Sequence, residues 1–367
     1  MWMPVRTAAQ ESGVGVEPNR AAVRLARRRF RGAIGALGIV AIFAAWIGWH
    51  IGGTTSVKVF DDVVTSLAAF AAAVMCLRAG LTHDARLRRF WLLLAAASAA
   101  WTIAEVIWAI YDLVLNVPVP VPSWADVGYL SAIPLTVAAL VSHPAMYQKR
   151  QAKTRATLDG IILATSLLFL SWSFVLGPLW RHSDLTSLGG IVAVAYPFGD
   201  IVMLLLVVLV IRAMKTGDRF ALWSVLGGIV AMALADSTYT YLTEIGKYAT
   251  GNLVDIGWVA GYLGLALGGL ASSGEEVVEQ APVSPASSMA SIVVPFVPVL
   301  VALAASALEV ALGRKLPFSD WLMALVLVLL VLSRQALMLL DGFGLVGAVG
   351  PVSPQPDSQM AEEVPRA

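Results

Sequence analysis

The chain has 367 residues, 58% of them hydrophobic and 13% charged, with a net charge of +1 and a mean hydropathy of +0.78. About a quarter of an average soluble chain is charged, so this composition excludes a water-soluble globular fold and points to an all-α polytopic membrane protein. The near-zero charge, with no basic stripe interleaved with aromatics, excludes nucleic acid as a partner, and a single cysteine, Cys76, excludes an intramolecular disulfide.

Residues 1–31 read as a basic N-terminal tail carrying Arg20, Arg24, Arg27, Arg28, Arg29 and Arg31. The apolar run that follows lacks a small-residue cleavage site, so an uncleaved first span is expected rather than a signal peptide. A bilayer crossing needs about 20 mostly apolar residues. Ten stretches meet this, at about 32–53, 59–81, 90–115, 126–147, 156–179, 189–211, 219–242, 254–272, 289–312 and 318–340. Alternate loops concentrate the bases: Arg78, Arg86, Arg88 and Arg89, then Lys149, Arg150, Lys153 and Arg155, then Arg212, Lys215 and Arg219. The opposite loops hold only Lys58, Arg181, Lys247, Arg314 and Lys315. By the positive-inside rule both termini are expected in the cytoplasm. The charge bias does not direct the last hairpin, 289–340, because the inner loop 273–288 has no base and the outer GRKLPF loop is basic. The glycine- and proline-rich segment 341–367 is expected to be a disordered cytoplasmic tail.

Two stretches of the chain look alike. RAGLTHDARLRRFWLLL from Arg78 parallels RAMKTGDRFALWSVL from Arg212, Ala104–Tyr111 parallels Ala235–Leu242, and Ala125–Tyr129 parallels Val254–Trp258. The matched helices run the same way, so the expectation is two parallel four-helix repeats, 32–147 and 148–272, followed by the hairpin. Chance similarity between apolar segments is the alternative.

Acidic residues stand among aromatics inside these spans: Glu105, Asp126, Asp200, Asp236 and Asp255. A charged side chain at the centre of a spanning helix costs roughly 2.5–3.5 kcal/mol on the insertion scale. At 1.5 Å per residue, all five approach one layer toward the outer side. Four of them have an aromatic residue three positions on, namely Trp108, Tyr129, Tyr239 and Trp258. Helical spacing places Trp101, Glu105, Trp108 and Asp112 on one face, and Asp255, Trp258 and Tyr262 on another. Asp126 can close a capping box with Ser123, and Asp255 can complement a helix N-terminus. Glu105 and Asp236 lie toward helix C-termini, where the macrodipole disfavours them, and need a proton, hydrogen-bond donors or a bound cation. Asp200 follows Pro197, which frees a carbonyl one turn earlier. An outward-facing ligand cavity and polar glue between helices both fit this pattern. Asp61, Asp62 and Asp159 read as helix-start residues, and Trp49, Trp124 and Trp180 as interfacial belt residues.

The ordered segments AEVIWAIY, PSWADVGYL, Leu158-Asp159-Gly160, YPFGD, ADSTYTYL and VDIGWVAGYL resemble the N-terminal membrane region of actinobacterial GGDEF/EAL proteins, over about residues 35–340. The resemblance implies a multi-span input region of a kind joined to cyclic-di-GMP synthesis and hydrolysis domains. Beyond Leu340 no GGDEF or EAL sequence follows, so the expectation is an input module without catalytic output. No catalytic dyad, phosphate loop or metal motif is present, the four histidines are scattered, and neither enzymatic activity nor a cofactor is expected. The residues support an inner-membrane, sensor-like protein whose partners are the lipid bilayer, a small cation or amine ligand and a cytoplasmic signalling protein. A proton- or cation-coupled transporter and a non-catalytic scaffold are the alternatives.

Overall fold

The computed structural model describes residues 20–147, 153–173, 177, 187–213, 219–272, 297–311, 313 and 317–348. Among these, all regular structure is helical: α1 (Arg20–Gly48), α2 (Gly53–Thr82), α3 (Ala85–Ala109), α4 (Trp124–Ser142), α5 (Lys153–Ser171), α6 (Leu188–Ala213), α7 (Arg219–Glu244), α8 (Asp255–Ala271), α9 (Val297–Ala311) and α10 (Phe318–Ala348). Seven segments are long and apolar enough to cross a membrane: Val23–Gly48, Gly53–Thr82, Leu87–Val114, Trp124–Ser142, Leu188–Ile211, Phe220–Thr243 and Phe318–Ala336. Asp255–Ala271 and Val299–Leu308 are shorter apolar helices.

Local chemistry sets several boundaries. Asp84 caps α3 by accepting from Leu87 N at 3.4 Å. A π-helical turn, Ile110–Val114, continues α3 and is closed by Leu115 N donating to the Ile110 carbonyl at 2.9 Å. Between α1 and α2 the chain reverses through Gly52 and Gly53, both with positive φ (81° and 83°), which glycine adopts without steric cost.

At both ends of the helical region the boundaries differ from the sequence expectation. The basic segment from Arg20 onward is already helical and continuous with α1, because its alanine-, leucine- and arginine-rich sequence has high helix propensity. At the other end α10 continues to Ala348 rather than giving way to disorder after Leu340, and no proline interrupts the chain before Pro351. The loop 273–288, the basic loop residues Arg314 and Lys315, Lys149, Arg150, Arg181, Lys215, Trp180 and the tail 349–367 lie outside the described residues.

The main core is built by α2 packing on α3 and α8, α3 on α4, and α7 on α8. Phe90, Trp91, Leu94, Val207, Val225, Ile229 and Leu265 are buried in it. Cys76 is fully buried there, its Sγ 3.8 Å from the Leu265 carbonyl, as a small core residue. A second cluster joins α5 to α9 and α10 through Ile162, Phe169, Val299, Ala302 and Leu327.

Small residues bring the helices of the main core into backbone contact. A Cβ added to Gly264 would lie 2.8 Å from Gly228 Cα, and one added to Gly269 would lie 2.7 Å from the Met75 carbonyl. Two further crossings share one geometry. A Cβ on Gly128 would meet Ala104 Cβ and the Ala100 carbonyl oxygen, both at 2.8 Å. A Cβ on Gly257 would meet Ala235 Cβ at 2.7 Å and the Ala231 carbonyl oxygen at 3.0 Å.

At the bundle end formed by the C-termini of α2, α4 and α8, His83 bridges two helices. Its Nδ1 lies 2.8 Å from the Ala79 carbonyl and its Nε2 lies 2.9 Å from Ser272 Oγ. His143, the residue after α4, is buried with its ring edge-on to Phe90 at 5.1 Å. Burial lowers its pKa to about 4. The unfolded chain therefore binds a proton near pH 6.5 that the folded chain refuses until about pH 4, so stability falls as pH drops through this window. Between pH 7 and 5 this group is expected to cost wild type about 2 kcal/mol relative to a His143→Gln variant. Paired melting curves at the two pH values measure the difference.

Candidate functional site

The opposite end of the bundle holds a cavity of about 410 Å³, where α3 and α7 finish and α2, α4 and α8 begin. Seven carboxyl residues line it: Asp61, Asp62, Glu105, Asp126, Asp200, Asp236 and Asp255. So do eight aromatics: Trp101, Trp108, Tyr129, Tyr196, Tyr239, Tyr248, Trp258 and Tyr262. No lysine, arginine or histidine is among the described residues that line it. The nearby ammonium of Lys58 is taken by Asp112, with Nζ 2.7 Å from Oδ1 and 3.0 Å from the Asp112 carbonyl.

Each acid has its own set of partners. Glu105 Oε1 accepts from the Tyr262 hydroxyl at 2.7 Å, and the Tyr129 hydroxyl is a second donor to the same carboxylate. Asp236 Oδ1 accepts from Trp258 Nε1 at 2.7 Å. Asp126 accepts from Ser123 N at 2.6 Å in a capping box at the start of α4, and its other oxygen accepts from the Tyr196 hydroxyl. Asp255 is the counterpart at α8. Its Oδ2 accepts from Asn252 N at 2.7 Å and Gly251 N at 2.9 Å, and its Oδ1 from the Tyr248 hydroxyl at 3.2 Å. Tyr248 lies in the loop before α8, and burial together with Asp255 holds its phenol well above the ordinary tyrosine pKa, so it stays a donor.

Gly251 ties two carboxyl groups together, because its N–H also reaches Asp61 Oδ2 at 2.8 Å. Its φ of 89°, with Val57 Cγ1 at 2.6 Å from an added Cβ, reserves the position for glycine. Asp61 and Asp255 also contact each other through their side chains, which needs a proton or a bound cation between the two oxygens. Two lining residues keep a buried carboxyl oxygen without a donor, Asp62 Oδ2 and Asp200 Oδ2, and the Asp62 side chain contacts the carboxyl group of Asp112. Pro197 withdraws the helical donor of the Ala193 carbonyl, and Ala193 and Asp200 both line the cavity.

The rings contact one another in groups around the site. Tyr239 stands edge-on to Trp108 (6.3 Å), Tyr248 (4.6 Å) and Trp258 (5.6 Å), while Trp101 meets Tyr262 at 6.0 Å.

All ten residues singled out in the sequence line this one cavity: Glu105, Asp126, Asp200, Asp236, Asp255, Trp101, Trp108, Tyr239, Trp258 and Tyr262. Asp112, grouped with Glu105 by helical spacing, instead belongs to the Lys58 pair. Asp61 and Asp62 correct the sequence reading. They are not at the start of a helix, because α2 begins at Gly53, and at 1.5 Å per residue Asp61 lies about 12 Å along it. The paired glycines 52 and 53 were the available signal for that earlier start. Tyr196 and Tyr248 were also missed, since neither stands at helical spacing from an acid it contacts on its own helix. Trp49 and Trp124 are largely exposed at helix ends, and the side chain of Asp159 lies outside the described residues.

Compared with protein-family models, curated proteins and solved structures, the chain matches none.

Proposed function

We propose that this chain is a multi-pass, sensor-like protein of the bacterial inner membrane that binds a small organic cation in the acidic–aromatic cavity and relays occupancy to a cytoplasmic partner, without catalytic activity of its own. One observation carries the reading: seven carboxyl groups and eight aromatic rings surround about 410 Å³ of space, with no basic residue among the described lining. That volume is within the range of small-molecule sites. An ammonium group complements such a wall through charge-assisted hydrogen bonds to carboxylates and through attraction to ring faces.

The proposal includes ten spans with both termini cytoplasmic and two parallel repeats. The distribution of arginine and lysine supports the orientation. Paired geometry supports the repeat. Gly128 on Ala104 and Gly257 on Ala235 are the same crossing at positions the two sequence stretches align. Ser123–Asp126 and Asn252–Asp255 are the same cap. Glu105 with Tyr129 and Asp236 with Trp258 are the same acid–donor pair. The cavity then lies between the two halves, and a ligand that prefers one arrangement of the halves shifts them against each other. The resemblance to the membrane region of GGDEF/EAL proteins supports a signalling enzyme as the partner.

The test uses the purified protein in lipid nanodiscs and butylammonium as probe. Wild type is expected to bind it, and Glu105→Gln/Asp236→Asn to lose about tenfold or more in affinity. A wild type that binds no ammonium probe overturns the reading. For the relay, proteins co-purifying with wild type are compared with those of the double variant, and a mutation-sensitive signalling enzyme is the expected result.

The position of the cavity between like halves also favours a carrier, because parallel-repeat transporters bind substrate at that interface. Ammonium flux in proteoliposomes that the same substitutions abolish, without a co-purifying partner, would replace the relay by transport.

A further inference from the structure

Building on the cation reading above, we propose that the cavity takes up its cation in exchange for a proton, and that the proton released is the one held between Asp61 and Asp255.

The two residues form a carboxyl pair across two helices. Asp61 belongs to α2 and Asp255 opens α8, and a single backbone N–H, that of Gly251, donates to Oδ2 of both, at 2.8 Å and 2.9 Å. The two side chains also contact each other. Two ionised carboxylates have no donor to offer one another and repel, so the contact holds one proton that belongs to the pair. One negative charge remains on it. Both residues are buried, at 3% and 1% exposure, so water screens that charge weakly.

The surroundings decide what can balance it. Asp62 is the next residue on α2, Glu105 faces the pair from α3 and Tyr239 from α7. Tyr248, from the loop before α8, places its hydroxyl 3.2 Å from Asp255 Oδ1. α1 meets this part of α2 through Phe43 and Trp46 on Phe60, and none of these titrates. Every facing group is therefore an acid or a neutral donor, and no base is among the described residues that line the cavity. The neighbouring carboxyl pair is the contrast. Asp62 contacts Asp112, and the Lys58 ammonium stands 2.7 Å from Asp112 Oδ1, so that pair carries its own cation. For Asp61 and Asp255 the positive charge has to be a proton or a cation from outside.

An ammonium group in the cavity acts on the pair through space. Glu105, one of the two acids expected to hold it, is within electrostatic reach of both Asp61 and Asp236. A positive charge there favours the ionised form of the pair and expels its proton. The exchange leaves the net charge of the buried site unchanged, so neither state buries an extra uncompensated charge. By linkage, affinity for the cation rises with pH for as long as the empty protein keeps the proton.

The experiment titrates the full-length protein in nanodiscs with butylammonium, by calorimetry at pH 7 in buffers of different ionisation enthalpy. The amine itself stays protonated there, as a lysine side chain does. The dependence of the heat on the buffer counts protons, and about one is expected to leave per amine bound, with affinity rising about tenfold per pH unit. Asp61→Asn keeps the shape of the side chain and brings its own N–H donors, so it is expected to bind the amine with no proton released and little change with pH. Asp255→Asn, whose amide oxygen still accepts from the Gly251 and Asn252 N–H groups, is the second variant, with the same expectation. Infrared difference spectra give an independent readout: the amine should remove a protonated-carboxyl band from wild type and from neither variant. Amine binding without proton release, or a release that both substitutions leave unchanged, overturns this inference and leaves the cation reading standing. Absence of amine binding by wild type overturns both.

Discussion

Gly228→Ala is expected to cost about 3 kcal/mol of stability, while Gly227→Ala, one residue away on the same helix, is expected to gain about 0.5 kcal/mol. The contrast is geometric. A Cβ on Gly228 would lie 2.6 Å from the Gly261 carbonyl oxygen and 3.3 Å from Leu265 N, both backbone atoms of α8. No rotamer change relieves such a contact, so α7 and α8 must separate. A Cβ on Gly227 meets nothing within 4 Å, and the substitution there removes only the conformational freedom of glycine in the unfolded chain. Unfolding in detergent with increasing dodecyl sulfate measures both variants against wild type. Equal losses at the two positions would mean that the α7–α8 crossing is not the tight backbone contact described above. Because Asp236 and Trp258 are presented across this same crossing, the loss at Gly228 should extend to amine binding.

The helices themselves were legible because each apolar stretch is long and bounded by charge or glycine, and a helix overlaps each of the stretches from 32–53 to 318–340, though several run beyond them. What hydropathy could not supply was the position of helix ends within polar or mixed sequence. Arg20–Arg31 is charged yet helical, since arginine is a good helix former and hydropathy reports burial rather than backbone propensity. The same limit hid Asp61 and Asp62: a start at residue 59 makes them helix-start residues, whereas the actual start at Gly53 carries them into the cavity.

The site was legible where its contacts stay local. Asp126 with Ser123 is a spacing of three on one chain segment, and the capping box follows from it. Glu105 and Asp236 stood out because a carboxylate in an apolar helix demands a partner. The partners found belong to other helices, Tyr262 for Glu105 and Trp258 for Asp236. Those pairings depend on which faces α3, α7 and α8 turn toward one another, which the sequence of any single helix does not state. The proposed repeat would narrow the choice, since it aligns Tyr129 with Trp258 and so predicts a donor for each acid. That alignment also sets Ile133 against Tyr262, so the Tyr262 hydroxyl on Glu105 has no counterpart at the position aligned with it.

Tyr262→Phe is expected to cost about 2 kcal/mol, the loss of a hydrogen bond to a charged group. Tyr262 is 1% exposed and its hydroxyl is 2.7 Å from Glu105 Oε1, so no water replaces it readily. The ring contact with Trp101 at 6.0 Å is retained by phenylalanine, which confines the change to the hydroxyl. Glu105→Gln alone is expected to cost less than about 1 kcal/mol, because the amide oxygen still accepts from Tyr262. The informative quantity is the coupling between the two substitutions. Where Glu105 carries a charge, the phenol is worth about twice what it is worth to a neutral acceptor. Removing the phenol should then hurt wild type more than it hurts the Glu105→Gln variant, by about 1 kcal/mol. An equal cost in both backgrounds would mean that Glu105 is held as a neutral carboxyl group. The distinction bears on the proposed function: a charged Glu105 would attract an ammonium ligand, while a neutral one would serve only to tie α3 to α8. Melting curves of the four proteins, each taken with and without butylammonium, therefore measure the bond and ask what it holds in place. The amine should raise the melting temperature of wild type more than that of either protein carrying Glu105→Gln.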